Sequence, residues 1–179
     1  MLELHAPPYL LRPFAERDAE AFAAAVRESM ATVGRWMSWS SSNYTEVQAR
    51  LWFEQCDAYR ALGTAHEFGI FDARGDFVGG AGLNQFNVQN LFCNLGYWIR
   101  ESSQRRGAAL GACAALAELA FNRLGQQRVE LVVAEGNEPS RAVAAKVGAL
   151  YEGLARSRLQ LHGSPVDAHV YCLLPRHAA

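Results

Sequence analysis

The stretch Gly96-Tyr97-Trp98-Ile99-Arg100 reads as the end of a strand, and Gln104-Arg105-Arg106-Gly107-Ala108-Ala109, just beyond it, opens a long Ala/Leu helix. A strand, a short basic loop with a glycine where the helix begins, and the helix itself make a place for a phosphate-bearing ligand. Helix N-termini carry unpaired N–H groups and about half a positive charge, so a pyrophosphate there meets donors already aimed at it. Arg105 and Arg106 add mobile cations to the same loop.

Outward from that loop, periodicity orders the rest of the chain. Tyr9 to Arg12 reads as a strand, and Asp18 stands at an N-cap position before the apolar spacing Phe22, Val26 and Met30. Thr45 with Gln48 resembles a capping box that starts a second helix running to Leu62. Between the two helices, the Trp- and Ser-rich segment from Gly34 to Tyr44 has no period and reads as a functional loop. Glu67 to Asp72, Phe77 to Asn84 and Leu91 to Arg100 are three strands joined by tight turns, an antiparallel meander. After the helix from about Gly107 to Leu124, the run Val129-Glu130-Leu131-Val132-Val133 suits a parallel strand reached by a right-handed crossover. A short helix from Ser140 to Val147 stops at Gly148, and two last strands flank His162-Gly163-Ser164-Pro165.

With 179 residues, half of them hydrophobic, the chain has the size of one domain, spanning 1–179, and can bury a core. A net charge of −1 argues against broad nucleic-acid binding, which needs a strongly basic face. No apolar run approaches the roughly 20 residues of a bilayer span, and no cationic leader precedes an apolar segment, so a soluble cytoplasmic protein is expected. Cys56, Cys93, Cys113 and Cys172 lack the paired spacing of a zinc or redox site and read as buried thiols. Neither a disulfide framework nor a metal is implied.

The element order β-α-α-β-β-β-α-β-α-β-β, with a basic glycine loop after the fourth strand, resembles the GNAT superfamily of acetyl-CoA-dependent N-acetyltransferases. Gln104 to Ala109 matches that family's Gln/Arg-x-x-Gly-x-Gly/Ala loop. Leu11-Arg12-Pro13 with Asp18, Trp36 and Trp39, Gly96-Tyr97-Trp98-Ile99, and Asn137-x-x-Ser140 with Lys146-x-Gly148 narrow the resemblance to the RimJ/RimL-like branch. It covers nearly the whole chain. The resemblance implies a mixed α/β (α+β) single domain whose mostly antiparallel sheet of about seven strands has helices on both faces. It also implies an acyltransferase that moves an acetyl group from acetyl-CoA, its cosubstrate, to a protein N-terminal amine or a small-molecule amine, without metal. Related proteins often dimerise, so a homodimer is possible.

By the same resemblance, backbone amides of Arg106, Gly107, Ala108 and Ala109 hold the cofactor pyrophosphate, with Gln104 and Arg105 shaping the turn. Trp98, Ile99 and Arg100 offer main-chain groups to the pantetheine arm, which lies along their strand where it splays from the next. Asn137 contacts that arm, and Ser140 stands near the thioester sulfur as the donor to the departing thiolate; Ser140 after Pro139 also suits a plain helix start. The tyrosine acid of many relatives is replaced by Ala144, which leaves Ser140 as the local donor.

The base is unassigned. A glutamate on the penultimate strand of RimL-like proteins aligns with Leu159, leaving Glu67, Glu101, Glu152 and His169 as substitutes, each also readable as a surface or structural residue. Trp36, Trp39 and Tyr44 either line the acceptor pocket or simply pack, and Asp167 either binds the incoming amine or holds its hairpin. Lys146, the sole lysine, could reach cofactor phosphate or lie on a solvated helix face. The missing glutamate at Leu159 keeps a second expectation open, a CoA-binding regulatory or interaction module without turnover. A dinucleotide-binding oxidoreductase is disfavoured, because the loop lacks Gly-x-Gly-x-x-Gly and follows antiparallel strands.

Overall fold

The computed structural model describes residues 2–175. Its strands are β1 (Leu4–Ala6), β2 (Tyr9–Arg12), β3 (His66–Phe71), β4 (Phe77–Asn87), β5 (Phe92–Ile99), β6 (Arg128–Ala134), β7 (Leu150–Leu161) and β8 (Ser164–Leu173). The helices are α1 (Ala19–Glu28), α2 (Glu46–Leu62), α3 (Ala108–Asn122) and α4 (Glu138–Lys146). All eight strands form one sheet in the order β1-β2-β3-β4-β5-β6-β8-β7. Only β5 and β6 run parallel; every other neighbouring pair is antiparallel.

The strand count is one more than the seven expected. The additional strand, β1, pairs with β2 through Leu4↔Leu11 and Ala6↔Tyr9. With three residues and a Pro7-Pro8 turn after them, it offers no period to read, and proline pairs read as breakers.

The two helix pairs cover opposite faces. Under α3 and α4, Leu116 of α3 packs with Leu11, Phe68, Ile70, Leu83, Val129 and Leu131 in a mostly aliphatic core. On the other face, α1 and α2 enclose an aromatic cluster of Phe14, Phe22, Phe53, Phe77 and Trp98. Phe22 is its hub, with ring centroids 5.4 Å from Phe53, 5.5 Å from Phe77 and 5.4 Å from Trp98. Truncating such a fully buried ring to alanine typically costs about 3–5 kcal/mol.

Local chemistry sets the helix starts. The Thr45 hydroxyl accepts from the Gln48 N–H and the Gln48 side chain accepts from the Thr45 N–H, so α2 begins with the expected capping box. Asp18 immediately precedes α1 but does not cap it. Its carboxylate turns back to the Arg12 guanidinium, with Oδ2 and Oδ1 accepting at 2.7 and 2.8 Å, and to the Ala15 N–H at 2.7 Å. That forked pair, stacked on Phe71, fixes the chain between β2 and α1. No helix among the described residues is long and apolar enough to cross a membrane.

Candidate active site

The sheet opens where β5 meets β6. Parallel pairing runs through Phe92↔Arg128, Cys93↔Val129 and Asn94↔Glu130, and then stops. Pairing with β4 continues to Gly79↔Ile99, and the Arg100 N–H donates to the Val78 carbonyl beyond it. Main-chain groups alternate sides along a strand, so those of Trp98 and Arg100 face β4 while those of Tyr97 and Ile99 face the opening. The Arg100 main chain is engaged at both ends, since its carbonyl accepts from Ser103. Of the three expected main-chain contributors, Ile99 is therefore the one turned into the gap, and Tyr97 joins it.

The basic loop lies at the top of β5. Arg105 adopts φ 62° and Gly107 φ 89°, a left-handed step that turns the chain into α3. The Gly107 carbonyl accepts the first helical bond from Gly111, which leaves the N–H groups of Gly107, Ala108 and Ala109 without intrahelical acceptors. Arg105 and Arg106 are exposed, while the Arg106 carbonyl accepts from the Tyr9 hydroxyl at 2.8 Å. Gln104 shapes the turn from beneath, its Nε2 donating to the Ile99 carbonyl and to the Thr32 hydroxyl, both at 3.1 Å.

The loop is moored to the end of α1 by residues that sequence patterns did not single out. Arg100 donates to Glu28 at 2.6 Å, Glu28 also accepts from the Ser102 N–H, and the buried Ser29 hydroxyl accepts from the Glu101 N–H. The Arg100 guanidinium holds the Glu28 carboxyl down at about 2. No local motif marks Glu28; its role appears only once α1 is packed beside β5.

Across the opening, α4 starts at Asn137, whose side-chain oxygen accepts from the Ser140 N–H at 3.2 Å. Asn137 is thus the cap, and Ser140 lies in the first turn with its hydroxyl free for another partner. That partner is the Tyr97 hydroxyl, 2.8 Å away. Burial pushes the Tyr97 phenol well above its ordinary range, against the Ser140 hydrogen bond, so it stays protonated. Ala144, one turn beyond Ser140 on α4, is fully buried.

Beside β5, on the aromatic face, lies a cavity of about 520 Å³. Trp39 and Tyr44 line it, together with Trp52, Trp98 and the carboxylate of Glu67. Trp36 does not: it lies under the Arg35 guanidinium, and its ring approaches Gly136 at the start of α4. Asp167 is also outside the lining; it accepts from Arg156 and from the Ser157 N–H, both within the β7–β8 hairpin. The loop carrying Trp36 and Trp39 is held by that hairpin, as the His162 N–H donates to Ser38 and its ring pairs with the Gly34 carbonyl.

Among the four substitute bases, only Glu67 reaches the cavity. Arg128 clamps Glu152 and lowers its carboxyl to about 2, Glu101 accepts from Thr32, and His169 pairs with the Tyr151 hydroxyl. Lys146 is exposed at the far end of α4 from Ser140.

A split sheet beside a glycine-led helix start defines an acyl-transfer fold, and the chain belongs to the acetyltransferase (GNAT) domain family, whose model matches residues 9–150. YdaF, a candidate ribosomal N-acetyltransferase of Bacillus subtilis (strain 168), is 32% identical over 172 residues, covering 93% of this chain and 90% of its own. A solved structure assigned as a ribosomal-protein-serine acetyltransferase of Vibrio cholerae superposes with a TM-score of 0.86 at 29% identity, covering 97% and 98% of the two chains. RimJ of Mycobacterium smegmatis, in complex with a CoA-disulfide, does so at 0.87 and 26% identity, covering 97% and 86%. The chain is an acyltransferase of the RimJ/RimL-like type.

Proposed function

We propose that this protein transfers an acetyl group from acetyl-CoA directly to a primary amine, in a ternary complex, with a peptide or protein N-terminus as the favoured acceptor. One observation carries the reading: β5 loses its β6 partner beyond Asn94, and the open run leads straight to the N-terminus of α3. The relatives named for ribosomal proteins support the choice of a polypeptide acceptor.

The residues fit the cosubstrate. The Ile99 N–H and the main-chain groups of Tyr97 suit an amide-bearing pantetheine arm laid along β5 as a substitute strand, the Ile99 carbonyl being taken by Gln104. The amides of Arg106, Gly107, Ala108 and Ala109, with the exposed Arg105 and Arg106 side chains, suit a pyrophosphate. Asn137 reaches the arm from the α4 side. When bound, acetyl-CoA supplies an acyl group activated by a thiol leaving group.

The chain's own contribution is positioning, charge stabilisation and a proton. Open N–H groups on β5 meet negative charge developing on the acyl oxygen. The Tyr97–Ser140 pair holds a proton where the sulfur departs, Ser140 as the direct donor and Tyr97 behind it. Trp39 and Tyr44 form apolar walls for the acceptor. The work is done in the cytoplasm, where ribosomal proteins are made.

Calorimetric titration with acetyl-CoA, followed by thiol release with a panel of N-terminal peptides and small amines, tests the reading. Saturable binding with amine-dependent thiol release is expected. Binding without release on any amine would favour the regulatory module, and absence of binding would overturn both.

A further inference from the structure

Among the described residues lining the cavity beside β5, Glu67 is the single charged side chain. Two features of the sequence put its carboxylate there. Glu67 faces Gly82 across the β3–β4 ladder, and a Cβ at Gly82 would fall 1.9 Å from Glu67 Oε2. Glycine therefore leaves the space that the carboxylate fills. Asn84 Nδ2 donates to Glu67 Oε1 at 3.0 Å, and Asn94 Nδ2 donates to Asn84 Oδ1 at 3.0 Å. A chain of amides thus runs to Glu67 from Asn94, the residue at which β5 loses its β6 partner.

Among the described residues, no cation pairs directly with this carboxylate. The nearby Arg60 guanidinium, on α2, donates to the main-chain carbonyl of Glu67 instead. A carboxylate among aromatic rings without a paired cation is costly, and an incoming cation relieves that cost. We propose that Glu67 is a catalytic carboxylate for the acceptor: it receives the primary ammonium group of an apolar amine in this cavity and takes its proton.

The inference rests on the acetyl-transfer reading and names its acceptor chemistry. Rings of Trp39, Trp52 and Trp98 suit an apolar or aromatic body. The lining offers no cation for a carboxylate or phosphate next to the amine, so free amino acids are poor acceptors and peptide N-termini or arylalkylamines are good ones. As the C–N bond forms and the C–S bond breaks, the nitrogen gives up two protons. One passes to Glu67 and on to solvent; the other balances the proton taken up by the leaving sulfur. The net products are amide, thiol and one proton.

Burial pushes the Glu67 carboxyl up, against the Asn84 amide and the Arg60 charge, which strengthens it as a proton acceptor. Cys56 and Arg60 on α2 interact electrostatically with it, and Tyr44 and Tyr97 share the cavity. Its neighbours on β4, Gly82 and Asn84, do not titrate.

The test follows quenching of the cavity tryptophans by phenethylamine, by a peptide with an N-terminal phenylalanine, by free phenylalanine and by phenethyl alcohol. Wild-type protein should bind the first two and reject free phenylalanine; binding by only one of the two identifies the source of the amine. Glu67→Gln should weaken amine binding at least about tenfold and lower kcat/KM about 10²-fold, with the affinity for CoA alone and for the alcohol unchanged. The rise of kcat/KM with pH through the Glu67 ionisation should vanish in Glu67→Gln and return in Glu67→Asp. Gly82→Ala, which keeps Glu67 but takes its space, should also lose amine affinity. Wild-type amine binding in Glu67→Gln, failure of wild-type protein to bind either amine, or tight binding of free phenylalanine would overturn the proposal. Failure of the wild-type protein to bind CoA, with ammonium recognition through Glu67 intact, would instead overturn the acetyl-transfer reading.

Discussion

The hydroxyls of Tyr97 and Ser140 lie 2.8 Å apart although 43 positions separate them in the chain. Tyr97 belongs to β5 and Ser140 to α4, so this bond joins the two sides of the opening in the sheet. On the proposed reaction it sets a second hydroxyl behind Ser140, the proposed donor to the leaving thiolate.

If the two hydroxyls act as one relay, Ser140→Ala should lower turnover about 10²-fold while leaving acetyl-CoA affinity near that of the wild type. Tyr97→Phe should have a smaller effect in the same direction, and the double variant should be little worse than Ser140→Ala. Steady-state kinetics on the four proteins measures this coupling; additive losses would separate the two roles.

Gly107→Glu should abolish acetyl-CoA binding in a calorimetric titration. The residue adopts φ 89° at the N-terminus of α3, so any side chain strains the turn by about 1–2 kcal/mol. A carboxylate adds negative charge where the pyrophosphate is proposed to sit. Gly107→Ala separates the two effects and should retain weakened binding.

Asp18→Asn should cost about 3 kcal/mol in chemical denaturation at neutral pH, since it leaves the Arg12 guanidinium, whose side chain is only 13% exposed, without its counter-charge. Burial pushes the Asp18 carboxyl up, but the Arg12 fork, the Ala15 N–H and the Arg17 charge outweigh it and leave it below its ordinary value. A carboxyl depressed on folding stabilises the fold fully above its unfolded value near about 4, and that contribution is lost as pH falls through the folded value. Wild-type stability should therefore drop on acidification below about pH 4, and Asp18→Asn should show a shallower drop over the same range.

Glu28→Gln should raise KM for acetyl-CoA severalfold with a smaller change in kcat, because Glu28 moors Arg100 and the Ser102 amide beneath the basic loop. Kinetics at saturating amine measures the split. Equal falls in both constants would place Glu28 in the chemical step instead.

The parts of this molecule written in local chemistry were legible from sequence. The Thr45–Gln48 box, the meander turns and the glycine opening α3 each depend on residues a few positions apart. What escaped depends on distant partners. Asp18 looks like a cap until Arg12 is folded beside it, and Asn137 rather than Ser140 caps α4. Trp36 and Trp39 share one aperiodic loop, and only its path between the β7–β8 hairpin and α1 sends one ring toward Gly136 and the other into the cavity. Glu67 is one of four candidate bases that the sequence alone does not rank, because the glycine that makes room for it is on another strand.

The three parallel pairs between β5 and β6 have a consequence for solvent exchange. In a sheet of eight strands, amides on a central strand ordinarily exchange last. Here the Tyr97 and Ile99 amides lack a cross-strand acceptor and should exchange as quickly as those of an outer strand. Their slowing on addition of acetyl-CoA would make the missing rung of the ladder a direct reporter of cosubstrate arrival.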